Sequence, residues 1–121
     1  WARTFGQPRG YDARYMHDEC YGIRQDVDGS FVMTGGSGNE TGSYSASGHP
    51  MGSASEWKSF LIKVDPDGNT VWTQIYGERD AGNNAGEFLS LTADGGYLLF
   101  NDTDSTGEMI PNNFGFMKVL P

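Results

Sequence analysis

The chain has a single cysteine, Cys20, so no disulfide can close within it. Its stability must come from packing rather than from covalent cross-links, and the redox compartment stays open. No apolar run approaches the roughly 20 residues that a membrane-crossing helix needs. Basic residues are scarce: eight Lys and Arg stand against sixteen Asp and Glu, a net charge of −8. Phosphate backbones are held by clustered Lys and Arg, so nucleic acid is not an expected partner. Anionic membrane surfaces are disfavoured for the same reason. No stretch combines helical periodicity with capping residues, so no helix is expected. Trp1 rather than Met opens the sequence, and no signal-peptide pattern follows. That is the expectation for a processed or excised piece.

Glycine and aromatic residues are what the chain has in quantity. Eighteen glycines beside five prolines are the profile of short strands joined by tight turns. Hydrophobic residues make up 36% and aromatics 13%, enough for an aromatic-rich core. Asp28-Gly29 and Asp94-Gly95 each separate two β-prone runs, and Lys63 to Trp72 reads as strand, Asp67-Gly68 turn, strand. Asp-Gly between apolar runs is a strong hairpin signal, and glycine supplies the positive φ of a primed turn.

Three ordered landmarks recur. Trp1-Ala2-Arg3-Thr4-Phe5-Gly6 returns as Trp72-Thr73-Gln74-Ile75-Tyr76-Gly77. Asp28-Gly29-Ser30-Phe31 returns as Asp94-Gly95-Gly96-Tyr97, and Phe60-Leu61-Ile62-Lys63-Val64 as Gly115-Phe116-Met117-Lys118-Val119. The offsets are 71, 66 and 55 residues, so the first copy is longer by five residues and then by eleven. Residues 1–71 are therefore repeat 1 and residues 72–121 repeat 2. The extra length of repeat 1 is assigned to loop insertions at 10–21 and 35–55. Trp1 and Trp72 hold equivalent positions and are both expected in the core.

The order of these landmarks resembles the tandem β-propeller repeats of secreted bacterial and archaeal proteins. The likeness runs over nearly the whole chain, through the Trp-aromatic-Gly strand, the Asp-Gly-Gly-aromatic hairpin and the Phe-Leu-Ile-Lys-Val-Asp strand. It implies an all-β fold of two four-stranded antiparallel propeller-like blades, part of a larger or oligomeric propeller. Two blades cannot close a ring, so further blades are implied, from the same chain family or from homo-oligomerisation. It also implies a secreted or extracellular setting. The shared positions specify blades rather than chemistry, so function must come from elsewhere.

The insertions are where it is sought. Residues 10–21 concentrate Tyr11, Arg14, Tyr15, His17 and Tyr21 with Cys20 and three acids. On a propeller rim such a loop suits binding, and equally suits a solvated loop whose tyrosines pack on the sheet. His17, Tyr15 and Arg14, with Arg24 on the same rim, have the residue types of a polysaccharide lyase. There, His or Tyr abstracts the proton α to a uronate carboxylate that Arg neutralises. His17 and Cys20, with His49 from the second insertion, make half a zinc pattern. Asp102, Asp104 and Glu108 alternate oxygen ligands on a Thr/Ser/Gly loop, and calcium is the cofactor that such ligands suit. Paired amides, Asn83-Asn84 and Asn112-Asn113, can hold sugar hydroxyls beside a stacking face such as Trp57; they can also cap turns. The expected function is a propeller module binding a macromolecule, a glycan first, with the lyase and a structural segment of an extracellular assembly as alternatives.

Overall fold

Three tight hairpins fix where the strands begin. In the computed structural model, which describes residues 1–6, 16–39, 43–44, 50–51, 56–76, 84–103 and 113–120, each has the same wiring. The Gly29 N–H donates to the Asp26 carbonyl at 3.0 Å, and the Asp26 N–H to the Ser30 carbonyl at 2.8 Å. Gly68 with Asp65, and Gly95 with Thr92, repeat the pattern. Gly29 has φ 85°, and its two counterparts are close to this. The turns are thus three-residue loops in which a turn is followed by a positive-φ glycine bulge, not the two-residue primed turns expected. In each turn an Asp carboxylate accepts backbone N–H groups of the loop: Asp28 from Ser30 and Asp94 from Gly96. Asp65 Oδ1 accepts the Asp67 and Asn69 N–H groups at 2.9 and 2.8 Å, which stabilises the wider turn.

The chain is all-β, and no helix occurs among the described residues. Among the described residues nine strands run in order: β1 Met16–Gln25, β2 Phe31–Asn39, β3 Ser43–Tyr44, β4 Pro50–Met51, β5 Glu56–Val64, β6 Thr70–Tyr76, β7 Asn84–Leu91, β8 Tyr97–Thr103 and β9 Asn113–Val119. They form a four-stranded antiparallel sheet, β1-β2-β5-β6, a three-stranded one, β7-β8-β9, and a two-residue β3-β4 ladder. The second sheet therefore has three strands where four were expected. The fourth strand of the first sheet is Thr70–Tyr76, so the sequence period turns over at Trp72 but the sheet changes only after Tyr76.

The two sheets share one register. Ile23 pairs with Met33, and 66 residues on Leu89 pairs with Leu99. The bulge between Cys20 and Gly22 returns between Gly86 and Phe88. Phe31 opposite Val64 returns as Tyr97 opposite Val119. Part of the expected insertions is strand. Gly35-Gly36-Ser37-Gly38 pairs with both β1 and β5, and His17 to Tyr21 lie in β1.

Strand alternation sorts the core into two layers. Val32 and Leu61 of the first sheet meet Leu89, Tyr97 and Leu99 of the second, flanked by Trp72, Tyr76 and Met117. On the first sheet's other face, Phe60, Ile62 and Val64 pack with Phe31, Met33 and Phe5. An uninterrupted Phe60-Leu61-Ile62 run is what a strand covered on both faces requires. The sheets come closest where Gly86 faces Thr34; a Cβ on Gly86 would lie 2.1 Å from Thr34 Oγ1. Trp1 departs from expectation: at 63% exposed it is not core, although its ring meets Phe31 edge-on at 6.2 Å. Among the described residues no helix is long and apolar enough to cross a membrane.

Leu99 is fully buried at the junction. Leu99→Ala is expected to cost about 2–5 kcal/mol, read as a lower urea midpoint. Val27→Ala, at a turn tip that is 98% exposed, is expected to stay within about 0.5 kcal/mol.

Candidate functional site

The register gives the molecule two unlike ends. One carries the three tight turns. The other carries the strand termini Met16, Asn39, Glu56, Tyr76, Asn84 and Thr103, which border the longer connections.

The turn end is held by charge. Lys63 Nζ lies 2.9 Å from Asp26 Oδ2 and 3.2 Å from Asp28 Oδ2. The buried Tyr97 hydroxyl, from the second sheet, donates to Asp26 at 2.8 Å and accepts from Lys63 at 3.2 Å. Hydrogen bonds from Lys63 and then Tyr97 hold the Asp26 carboxyl below its usual range. Asp28 is lowered to about 2, first by Ser30. Desolvation pulls Lys63 down, but its bonds to Asp26, Tyr97 and Asp28 outweigh it and raise its pKa. The repeat returns a simpler pair, Lys118 with Asp94 at 2.5 Å. All these charges are neutralised in place, which suits a fastener rather than a reaction centre.

The loop end gathers several of the expected residues. His17, Gly38 and Trp57 share one row of the first sheet, as Cα partners on β1, β2 and β5. Asn84, Thr103 and Asn113 share one row of the second, and Ala85, Asp102 and Phe114 the next. Between the sheets is a cleft of about 220 Å³ lined by Ser59, Tyr76, Asn84, Asn101, Phe116 and Met117. Ser59 Oγ donates to Asn101 Oδ1 across it at 2.8 Å. Burial pushes the Tyr76 phenol up, so its hydroxyl is protonated and can donate at neutral pH. A second hollow, about 390 Å³, lies along the same seam beside Lys63, Trp72 and Tyr97. Its Lys63 and Tyr97 are engaged with Asp26, which leaves the loop-end cleft as the better candidate site.

Other expected residues fall apart. Arg24 is one row from the first turn, at the opposite end of β1 from His17, and its guanidinium donates to the Ile23 carbonyl at 2.7 Å. Tyr21 is exposed at the bulge, with its hydroxyl on the Glu19 carboxylate. The Cys20 thiol turns to the Gly22 carbonyl at 3.6 Å, and desolvation raises its pKa, the reverse of an activated nucleophile. Tyr11, Arg14, Tyr15, His49, Asn83, Asp104, Glu108 and Asn112 lie outside the described residues. Among the described residues, no three His, Cys, Asp or Glu side chains come together to hold a metal. Sequence reasoning missed Tyr76 and Asn101 as cleft residues. Tyr76 carried only its landmark signal, and Asn101 only its place beside Asp102.

Comparison with known proteins yields no match, neither to a family model nor to a curated protein or a solved structure.

The turn-end fastener makes a pH prediction. Asp26 has a lowered folded pKa, so its stabilisation is complete above the unfolded carboxylate value of about 3.9 and is lost as pH falls through the lower folded value. Asp26→Asn is expected to cost about 1–3 kcal/mol at neutral pH. Below the unfolded carboxylate range the variant should lose less stability than the parent, measured by urea unfolding at a series of pH values.

Proposed function

We propose that this chain is a glycan-binding module of β-propeller type, acting outside the cell and taking its ligand at the loop end. The observation that carries the reading is the cleft between the sheets. It combines the Tyr76 ring with the amides Asn84 and Asn101 and the Ser59 hydroxyl. Sugars present apolar ring faces edged by hydroxyls, and recognition of such a solute needs flat apolar surface beside placed donors and acceptors. At about 220 Å³ the cleft is smaller than a typical ligand pocket and admits one ring of a chain. Asn113 and Trp57, on the strand rows at the same end, extend the reading toward neighbouring rings. An acidic protein that sheds polyanions suits a neutral glycan better than a uronate. The lyase alternative needs Arg14 and Tyr15 beside His17, and it gains nothing from the cleft.

A glycan array probed with the folded chain tests this. Neutral oligosaccharide hits are expected, with Tyr76→Ala and Asn84→Ala each weakening binding about tenfold, the loss of roughly one good contact. No hits, or hits indifferent to both substitutions, would sink the reading. An unsaturated product appearing from a uronate polymer would favour the lyase.

A further inference from the structure

One face of this chain is left exposed and another is only partly covered, and each is the repeat counterpart of a face that the chain does cover. In the covered interface Val32 and Leu61 meet Leu89, Tyr97 and Leu99, with Trp72 and Tyr76 alongside. Shifted by the repeat offsets, Val32 becomes Leu98 and Leu61 becomes Phe116. These lie on the outer face of the second sheet with Phe88, Phe100 and Phe114. Phe88, Phe114 and Phe116 are 61%, 68% and 67% exposed. Their rings already form a tile: Phe100 lies 5.5 Å from both Phe114 and Phe116 and 6.5 Å from Phe88. An aromatic patch of this kind on a folded chain marks an interaction surface. Shifted the other way, Leu89, Tyr97 and Leu99 become Ile23, Phe31 and Met33, on the outer face of the first sheet, where Ile23 is half exposed.

A second observation names the occupant. Trp72 of β6 packs on Tyr97 with centroids 5.9 Å apart, and Trp1 packs on Phe31 at 6.2 Å. Residues 1–6 therefore lie against the first sheet as β6 lies against the second. Yet β6 is hydrogen-bonded to β5, while residues 1–6 belong to no ladder. Likewise β9, the counterpart of β5, has no strand on its outer edge among the described residues. The unpaired segment and the unpaired edge, each with a paired counterpart in the other repeat, are complementary to one another.

We propose that a second copy of this chain docks head to tail. Its Ile23, Phe31 and Met33 face covers the Phe88, Phe100 and Phe116 face, and its residues 1–6 add to β9 as the fourth strand. Strand addition supplies the main-chain hydrogen bonds and the aromatic tile supplies the apolar area. Such a contact joins unlike surfaces, so it propagates into a ring or a filament rather than stopping at a symmetric dimer. The new contact differs from the covered one in two ways. The close approach of Gly22 and Gly86 around Thr34 is replaced by Phe88, Cys20 and Phe100, so the sheets stand further apart and bury larger side chains. Phe31 replaces Tyr97 and has no hydroxyl for Lys118, so the contact is apolar and resists salt.

Sedimentation velocity on the 121-residue chain tests this, with Phe88→Asp and Ile23→Asp. Both positions are exposed, outside the ligand cleft, and far-UV circular dichroism checks that the fold is kept. The parent is expected to assemble at micromolar concentration, in high salt as in low. Each variant alone is expected to associate at least about tenfold more weakly. Mixed together they should form a one-to-one heterodimer, because each retains the face the other has lost. A parent that stays monomeric to near-millimolar concentration overturns the proposal. So does a mixture that forms no heterodimer, since a symmetric contact through one face predicts none. Glycan binding is read separately, so failure of either idea leaves the other standing.

Discussion

Each sheet of this chain has apolar side chains on both faces, and that condition governs the rest of the structure. A sheet with one wet face reads as alternating apolar and polar residues. Here β5 reads Phe60-Leu61-Ile62, and β9 carries Phe114 and Phe116 on one face and Met117 and Val119 on the other. The first sheet packs on the second sheet on one side, and on the other Trp1 and Phe5 cover part of its face while Ile23 stays half exposed. The second sheet satisfies it on one side only. Stability therefore propagates from neighbour to neighbour, as in any repeat architecture, and the terminal faces are where it runs out.

The two ends of the sheets divide the labour. At the turn end, Asp26, Lys63 and Tyr97 tie the sheets together through partly buried charge, whose strength depends on leaving no partner unpaired. At the far end a contact across the seam is Ser59 to Asn101, neutral and easily exchanged for another hydroxyl. A rigid hinge at one end and an exchangeable polar contact at the other is a workable layout for a binding cleft built on scaffold strands.

The all-β class and the positions of the hairpins could be read from the sequence, because Asp-Gly turns and β-branched or aromatic runs act locally. The turn geometry could not. It depends on Asp28, Asp65 and Asp94 accepting backbone N–H groups two or more residues on, a non-adjacent effect. The Gly35-Gly36-Ser37-Gly38 stretch looked like a flexible insertion, since glycine and serine weaken strand propensity. Pairing on both sides overrides that propensity, and Glu19 comes so close that a Cβ on Gly35 would lie 1.7 Å from its carbonyl oxygen. Arg24 was grouped with His17 by nearness in sequence. In an extended strand seven residues span roughly 23 Å, so nearness in sequence became separation in space. The cleft depends on Tyr76 meeting Asn101 across two sheets, and no local pattern reports such a contact.

The differences between the repeats say more than their likeness. At the covered interface, glycine stands at 22 and 86 and tyrosine at 97, so the sheets approach closely and a hydroxyl completes the Lys63 and Asp26 tie. At the corresponding outward positions stand Phe88, Cys20 and Phe31, which bring bulk and no hydroxyl. A close interface with an internal polar tie cannot slide or separate without breaking buried hydrogen bonds, and it keeps one geometry. A wider apolar interface tolerates adjustment and comes apart by dilution. The repeat thus places small side chains and a hydroxyl at the joint inside the chain, and bulk without a hydroxyl at the equivalent outward positions.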